Sequence, residues 1–445
     1  MKRLVLGLFL AGCAHASAPA PTTAAPAVTA AAQHGEVLPF IHDDYPKALA
    51  AARARKKPLF VDAWAPWCHS CQSLRTYVLT DPVLAPLKDE LVWLSVDTEK
   101  DTNAAWVAKY PHAALPTLWV IDPVTEKATL KWAGTVTAEE LKALLAVATG
   151  PASGEGLAAT EAFVRGNHAL AAGDLALAEK EHRAALAEAP RNHPQRARIV
   201  EALVTELSFA KRPADCATVA ATEAPDLQRG TSRASTVVTG LSCAREAKLA
   251  AETERLFSVG LTDASARDRT LLPDDRSAVY EELVATKAEG GDRQGALLLA
   301  RAWSSFVDEE AAHAATKDAR AALDPNRLGA YLAAKEPAKA IPMLEASERD
   351  FPSDYNPPAR LARVYIELGR LSEADQAADR AIARVYGPRS LRVHALKADI
   401  AKARGDKRAE AAALEAALKK ADPSQLTEGQ KTVREALVKR LNALR

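Results

Sequence analysis

Trp64-Ala65-Pro66-Trp67-Cys68-His69-Ser70-Cys71 stands where the texture of the chain changes. An apolar run, Pro58-Leu59-Phe60-Val61-Asp62-Ala63-Trp64, leads into it, and a segment with helical spacing, 72–79, follows. Such a run reads as a buried strand giving way to a helix. Two cysteines spaced C-x-x-C at that junction suit thiol–disulfide exchange. Cys68 falls at the helix N-terminus, where unpaired backbone N–H groups and the positive end of the helix dipole favour a thiolate. Cys71, one turn on, is placed to attack a mixed disulfide formed at Cys68 and release its partner. Asp62 sits inside the apolar strand, where a carboxylate is costly to bury unless it has a task.

The order strand, aspartate, tryptophan, Trp-Cys-x-x-Cys, helix continues with Val92-Trp93-Leu94-Ser95-Val96-Asp97, then Tyr110-Pro111-His112-Ala113-Ala114-Leu115-Pro116-Thr117, then Gly134. Together these motifs resemble thioredoxin. The Lys57-Pro58 lead-in, Ser73-Leu74 after the cysteines and the Thr80-Asp81-Pro82 turn are similar to the C-terminal thioredoxin domain of the bacterial transmembrane disulfide reductase. The resemblance covers 36–149. It implies a cis peptide at Pro116 beside the cysteines, and a substrate-facing surface of Trp67, Leu115, Pro116, Thr117 and Gly134. It further implies that Asp62 relays a proton to or from Cys71. A lysine often neighbours that acid in thioredoxins; here the strand 92–96 is expected to place Trp93 there. His69 and Ser70, between the cysteines, are the redox-tuning positions. A protonated His69 would stabilise the Cys68 thiolate and make the pair more oxidising, although related oxidants carry their histidine one position later. Left solvated, it would do neither. His112, Asp97 and Glu99 lack metal-ligand spacing and read as ordinary surface residues.

Around this centre the rest of the domain reads as alternating strands and helices. Strands are expected at 37–41, 59–64, 91–96, 118–121 and 128–132. Helices are expected from the Asp43/Asp44 cap through 55, at 82–87, at 102–109 and at 138–148, the last opened by a Thr137/Glu140 capping box. Alternation followed by a terminal hairpin and helix fits an α/β thioredoxin-like sandwich. Six of the 7 tryptophans fall between Trp64 and Trp132 and are core or rim candidates, with Trp67 on the exposed site surface.

At 445 residues two or three domains are expected. The remainder divides into 1–13, a signal segment; 14–34, an Ala/Pro/Thr tether; 35–149, the thioredoxin-like domain; 150–156, a Gly/Pro/Ser linker; and 157–445, all-α. In this last region Gly166, Gly173-Asp174, Ala178, Ala185 and Pro190 carry the spacing of a tetratricopeptide unit. Lys335, Ala340 and Pro352 echo it, as do Tyr365, Gly369, Ala374 and Ala381, and more weakly Gly291-Asp292 with Ala296. Gly405-Asp406 and Ala417 form a last unit in which Glu410 stands where a small residue is expected. The stretch 199–275 is helical but out of phase. An all-α tetratricopeptide-type solenoid follows, with a generic Ala-rich bundle as the alternative. The solenoid would bind a partner whose identity is not written in it.

Composition narrows the compartment. With 58 basic and 57 acidic residues, net +1, nothing points to nucleic acid. Lys2-Arg3, a short apolar core and Leu10-Ala11-Gly12-Cys13 match a bacterial lipoprotein signal with Cys13 as the lipidated residue; cleavage after Ala14-His15-Ala16 is the alternative. Ala14, rather than aspartate, leans towards the outer membrane, on the periplasmic side of the envelope. The tether of some twenty residues would reach at most about 70 Å. Of 5 cysteines, Cys216 and Cys243 remain; in an oxidising compartment they form a structural bridge or stay as two buried thiols. A zinc site needs four ligands, and no second C-x-x-C or H-x-x-x-H exists, so neither a metal nor a cofactor is called for.

The expected activity is thiol–disulfide exchange on disulfide-containing envelope proteins, with electrons passed to or from a separate membrane protein. The rival is a membrane-tethered scaffold in which the repeats carry the function. Lipidation is directly checkable: a fatty-acid analogue fed to cells should label the protein, and Cys13→Ala should abolish the label; unchanged labelling would reject the anchor.

Overall fold

The computed structural model describes residues 37–149, 156–268, 270–420, 426 and 428–445. Cys13, the signal segment, the tether and most of the 150–156 linker lie outside the described residues.

Five strands form one sheet in the order β1-β3-β2-β4-β5: β1 (Phe40–His42), β2 (Leu59–Trp64), β3 (Val92–Asp97), β4 (Thr117–Ile121) and β5 (Ala128–Ala133). β1 and β2 pair parallel to β3, while β4 is antiparallel to both β2 and β5. β2 is thus central and buried on both faces, which is why its sequence is a nearly unbroken apolar run. Leu59, Val61 and Ala63 face one core, with Ala48 and Ala52 of α1 (Tyr45–Arg55) and Trp106 of α3 (Ala104–Lys109). Phe60 faces the other, with Trp93, Leu118 and Trp132 and, from α4 (Ala138–Thr149), Leu141, Leu144 and Leu145. β1 is shorter than expected and begins late. The Phe40 amide is spent on the Leu38 carbonyl in a local turn (3.0 Å), and Pro39 has no N–H to donate. The expected caps form: the Asp44 side chain accepts from the Lys47 amide (3.0 Å), and Thr137 and Glu140 bond each other's backbones reciprocally.

Five residues after the end of β2 the chain enters α2 (His69–Ser73), which continues as a π-helical turn, Leu74–Val78. The helix starts three residues earlier than its apolar spacing suggests, because Cys68 itself is the N-cap and accepts from the Cys71 amide (3.2 Å).

The second region is a succession of helical hairpins. They are α5 (Leu157–Ala172) with α6 (Leu175–Glu188), α7 (Arg196–Phe209) with α8 (Pro213–Glu223), α9 (Thr231–Glu246) with α10 (Ala250–Ser265), and α11 (Pro273–Glu289) with α12 (Arg293–His313). After a short α13 (Lys317–Ala322) come α14 (Asp324–Ala333) with α15 (Ala340–Asp350), α16 (Asn356–Glu367) with α17 (Leu371–Ile382), α18 (Ser390–Ala403) with α19 (Lys407–Leu418), and finally α20 (Glu428–Asn442). Within the hairpins a left-handed residue turns the chain, glycine at Gly173, Gly291, Gly369 and Gly405. At Lys211, Lys248 and Lys335 a lysine takes the same conformation. Two of these lie in the stretch that reads as out of phase: the units are there, without their glycines. Glu410 is not a sign of decay either. It is buried and accepts from Arg440 of α20 (2.7 Å), so the last unit is closed by an ion pair rather than by a small residue.

Cys216 of α8 and Cys243 of α9 are bonded, so the bridge is the alternative the structure adopts. Beside it the two helices cross at Gly240, where a Cβ would lie 2.4 Å from that of Ala220 and 3.0 Å from Leu256 Cδ1. The two regions share one core, since Phe163 of α5 and Ile199 of α7 pack in the same cluster as Trp132 and Leu144. Gly240→Val should overpack the α8–α9 crossing and destabilise the protein by about 2 kcal/mol, seen as a lowered midpoint in thermal unfolding; an unchanged midpoint would show that the crossing can relax.

Candidate active site

β2 delivers the chain to Ala65, Cys68 and Cys71, which are buried together under Trp64, Trp67 and Leu115. Cys68 and Cys71 are disulfide-bonded. Cys68 keeps 4% of its surface exposed and Cys71 none. Both residues are buried, and of the two only Cys68 keeps any exposure, so a partner would reach the pair from its side. Cys68 Sγ faces the first-turn amide at Cys71 and the Ser70 hydroxyl (3.6 Å), both suited to stabilise a thiolate there.

Asp62 is fully buried, and neither carboxylate oxygen accepts a hydrogen bond. Its cation is Arg75, whose Nη1 lies 3.5 Å from Asp62 Oδ2 while also donating to Ser95 Oγ (2.7 Å). The guanidinium stacks over the Trp64 ring at 3.8 Å. Arg75 lies in the π-helical turn directly after α2, so the segment that follows the cysteines supplies the cation of Asp62. The expectation about Trp93 is corrected here. In the β2–β3 register Asp62 opposes Ser95, whereas Trp93 opposes Phe60. The cation comes from the helix, not from the neighbouring strand. Burial pushes the Asp62 carboxyl up to about 6, with Arg75 opposing.

The Leu115–Pro116 peptide is cis, and Leu115 packs against the cysteine cluster. Thr117 Oγ1 donates to the Ala114 carbonyl (2.6 Å), and the Gly134 amide donates to the Pro116 carbonyl (2.9 Å). Of the expected surface group, Trp67 and Leu115 pack on the sulfur pair, while Pro116 and Thr117 are buried and Gly134 is tied to Pro116.

What sequence reasoning did not reach is that the helical region closes over this face. Trp67 is half-buried rather than exposed: its indole N–H donates to Glu99 Oε1 (2.8 Å) and Arg389 lies over its ring at 4.8 Å. Asp97 and Glu99, expected as ordinary surface residues, are buried at the seam. Glu99 also accepts from the Arg389 amide (2.6 Å) and from Gln430 of α20 (3.2 Å), and Asp97 accepts from the Tyr386 hydroxyl (2.6 Å). Burial raises both carboxyls, against their hydrogen bonds. A Cβ on Gly387 would stand 2.0 Å from the Glu99 carbonyl oxygen, so only glycine permits that approach. Further along, Asn356 of α16 donates to the Pro66 carbonyl (3.1 Å), Tyr77 to the Ala319 carbonyl of α13 (2.9 Å), and Thr135 to Asp275 of α11 (3.0 Å). The His69 side chain is 45% exposed but not left without a partner: its Nδ1 is 2.8 Å from Asp274 Oδ1, which is buried. An acid two residues beyond a buried strand, as Glu99 is beyond Asp97, was the only available hint; Asp274 lies 205 residues from its partner and gave none.

Residues 41–123 match the family described as thioredoxin-like, and residues 331–400 the family described as tetratricopeptide repeat. The N-terminal domain is thioredoxin-like. Over 82 residues it is 32% identical to the thiol:disulfide interchange protein DsbD of Pseudoalteromonas atlantica, an overlap of 18% of this chain and 14% of that one. Over 76 residues it is 38% identical to the thiol:disulfide interchange protein DsbE of Pseudomonas fluorescens, covering 16% and 38%. A chloroplastic M-type thioredoxin of Chlamydomonas reinhardtii is 33% identical over 63 residues, covering 14% and 42%. The chain therefore spans less than half the length of each of these relatives. A solved tetratricopeptide repeat protein from Parabacteroides merdae aligns with 64% of this chain and 100% of its own at a TM-score of 0.40 and 13% identity. The thioredoxin-like domain thus carries the Cys68–Cys71 pair and is followed by repeats of tetratricopeptide type.

The raised Asp62 carboxyl has a measurable consequence. Its native value, about 6, lies above the ordinary 3.8, so the folded state holds this proton more tightly than the unfolded one, and stability is lost as pH rises between the two. Asp62→Asn should match wild type below about pH 4 and exceed it at pH 7 by roughly 1–3 kcal/mol, read from urea unfolding across pH; a variant weaker at pH 7 would show that the Arg75 pairing outweighs burial.

Proposed function

We propose that this protein is an exported, lipid-anchored thiol–disulfide oxidoreductase acting on disulfide-containing proteins of the cell envelope. The observation that carries the reading is the asymmetric burial of a bonded cysteine pair at a helix N-terminus, beside a buried, poorly compensated carboxylate and the Leu115–Pro116 bend.

In the reducing direction, the Cys68 thiolate attacks one sulfur of a substrate disulfide. That S–S bond breaks, a Cys68–substrate mixed disulfide forms, and the other substrate sulfur leaves as a thiolate that takes up a proton. Cys71 then loses its proton to Asp62 and attacks Cys68 Sγ. The mixed disulfide breaks, the second substrate thiol is released, and the Cys68–Cys71 disulfide remains. Two electrons have passed to the substrate. Asp62, held near 6, suits such a relay at neutral pH. Leu115 offers backbone to an extended segment, in the manner of strand addition. Restoring the dithiol needs a separate membrane-borne thiol donor; run in reverse, the same steps oxidise substrates and need a disulfide acceptor. The lipobox at Cys13 supports the anchor and the periplasmic face, with the outer membrane preferred.

Replacing the resolving sulfur stops the cycle at its covalent intermediate. In cells, Cys71→Ser should accumulate mixed disulfides visible on non-reducing gels and lost with dithiothreitol or in Cys68→Ser/Cys71→Ser. Purified wild type should reduce insulin with dithiothreitol at least tenfold faster than the double variant. No trapped species together with no turnover would refute the activity and leave the scaffold role.

A further inference from the structure

The residue between the two cysteines on the exposed side is held from outside its own domain. His69 is the first residue of α2 and directly follows Cys68. Its ring is fixed by Asp274, near the start of α11. Asp274 is itself 4% exposed and is positioned by a second solenoid residue, Asn326 of α14, whose side-chain amide donates to the same oxygen (2.8 Å). The neighbouring Asp275 is turned elsewhere, accepting from Thr231 (2.6 Å) and Thr135. A buried carboxylate oxygen that receives both an amide N–H and an imidazole nitrogen is a built acceptor. An acceptor of that kind favours the imidazolium, in which both ring nitrogens carry protons.

We propose that Asp274, a residue of the solenoid, is a positioning residue for the redox pair. It holds the ring of His69, the residue directly after Cys68, as an ion pair, favours the Cys68 thiolate, and so stabilises the dithiol over the disulfide. The repeats then do more than pack against the redox domain: they set its potential. The proposal rests on the exchange chemistry argued above and assigns part of it to the second region of the chain. Other charges bear on the same ring. Burial lowers the His69 pKa, the hydrogen bond and charge of Asp274 raise it, Glu281 of α11 adds to the rise, Arg360 of α16 opposes it, and the net direction is upward. A cation next to the attacking sulfur lowers a thiol's pKa and raises the reduction potential, because the reduced state is the one that gains.

The test is the equilibrium of the full-length protein with reduced and oxidised glutathione at pH 7. One Cys68–Cys71 disulfide and two glutathione thiols exchange for the dithiol and one oxidised glutathione. The pair is read by alkylation and peptide mass, which keeps it apart from Cys216–Cys243. Asp274→Asn preserves shape, and should shift the constant about tenfold towards the disulfide, about 30 mV more negative. It should also raise the Cys68 pKa followed by thiolate absorbance. In a His69→Ala background, Asp274→Asn should add nothing. Tyr77→Phe, which loosens the same seam without touching His69, should leave the constant within twofold of wild type. The proposal is overturned if Asp274→Asn stays within twofold of wild type, if its effect persists undiminished without His69, or if Tyr77→Phe moves the constant as far. Because glutathione replaces any protein substrate, a null result here leaves exchange itself standing, and a failure to trap envelope substrates leaves this measurement intact.

Discussion

A buried carboxylate without a hydrogen bond, on the central strand of the sheet, is the constraint around which the neighbouring residues are arranged. Asp62 lies on β2, the strand buried on both faces, so no solvent reaches it. A fixed charge there would demand a close and well-bonded partner. Arg75 supplies only part of one, at 3.5 Å and shared with Ser95. Its carboxyl therefore titrates near 6, closer to neutrality than an ordinary aspartate, with burial as the cause and Arg75 opposing. The π-helical turn that follows α2 carries Arg75, so the geometry of the helix after the cysteines and the state of the acid beneath them are one problem with one solution.

The same economy appears at the seam with the helical region. The last residue of β3, Asp97, and the turn after it, with Glu99, meet solenoid groups that complete their bonding: a tyrosine hydroxyl, a backbone amide and a glutamine side chain. Remove the solenoid and these two carboxyls, together with Trp67, would lose partners. The two regions therefore stabilise one another through polar contacts that each leaves unfinished, and through one apolar core that runs from the sheet into α5 and α7. A repeat surface usually read as a docking platform for another protein is here engaged, over part of its extent, by its own chain.

Several features were legible without coordinates because they depend on local rules. β2, α1, the capping box at Thr137, and the hairpins turning at Gly173, Gly291, Gly369 and Gly405 follow from burial, capping and left-handed glycine, each encoded within a few residues. The hairpins between residues 199 and 275 were hidden because Lys211 and Lys248 adopt the conformation that glycine normally announces. Glu410 misled for a related reason: its compensation, Arg440, lies thirty residues away on another helix.

The sequence by itself determined the elements, the sulfur pair and the acid before it, since strand periodicity, helix capping and C-x-x-C spacing are short-range statements. Only the tertiary structure decided which cation meets Asp62, that Asp97 and Glu99 are buried, that Trp67 is roofed by Arg389, and that His69 is held by Asp274. Each of these pairs joins residues whose separation along the chain carries no periodic signal, and a contact closed by folding leaves no trace in the local pattern of either partner.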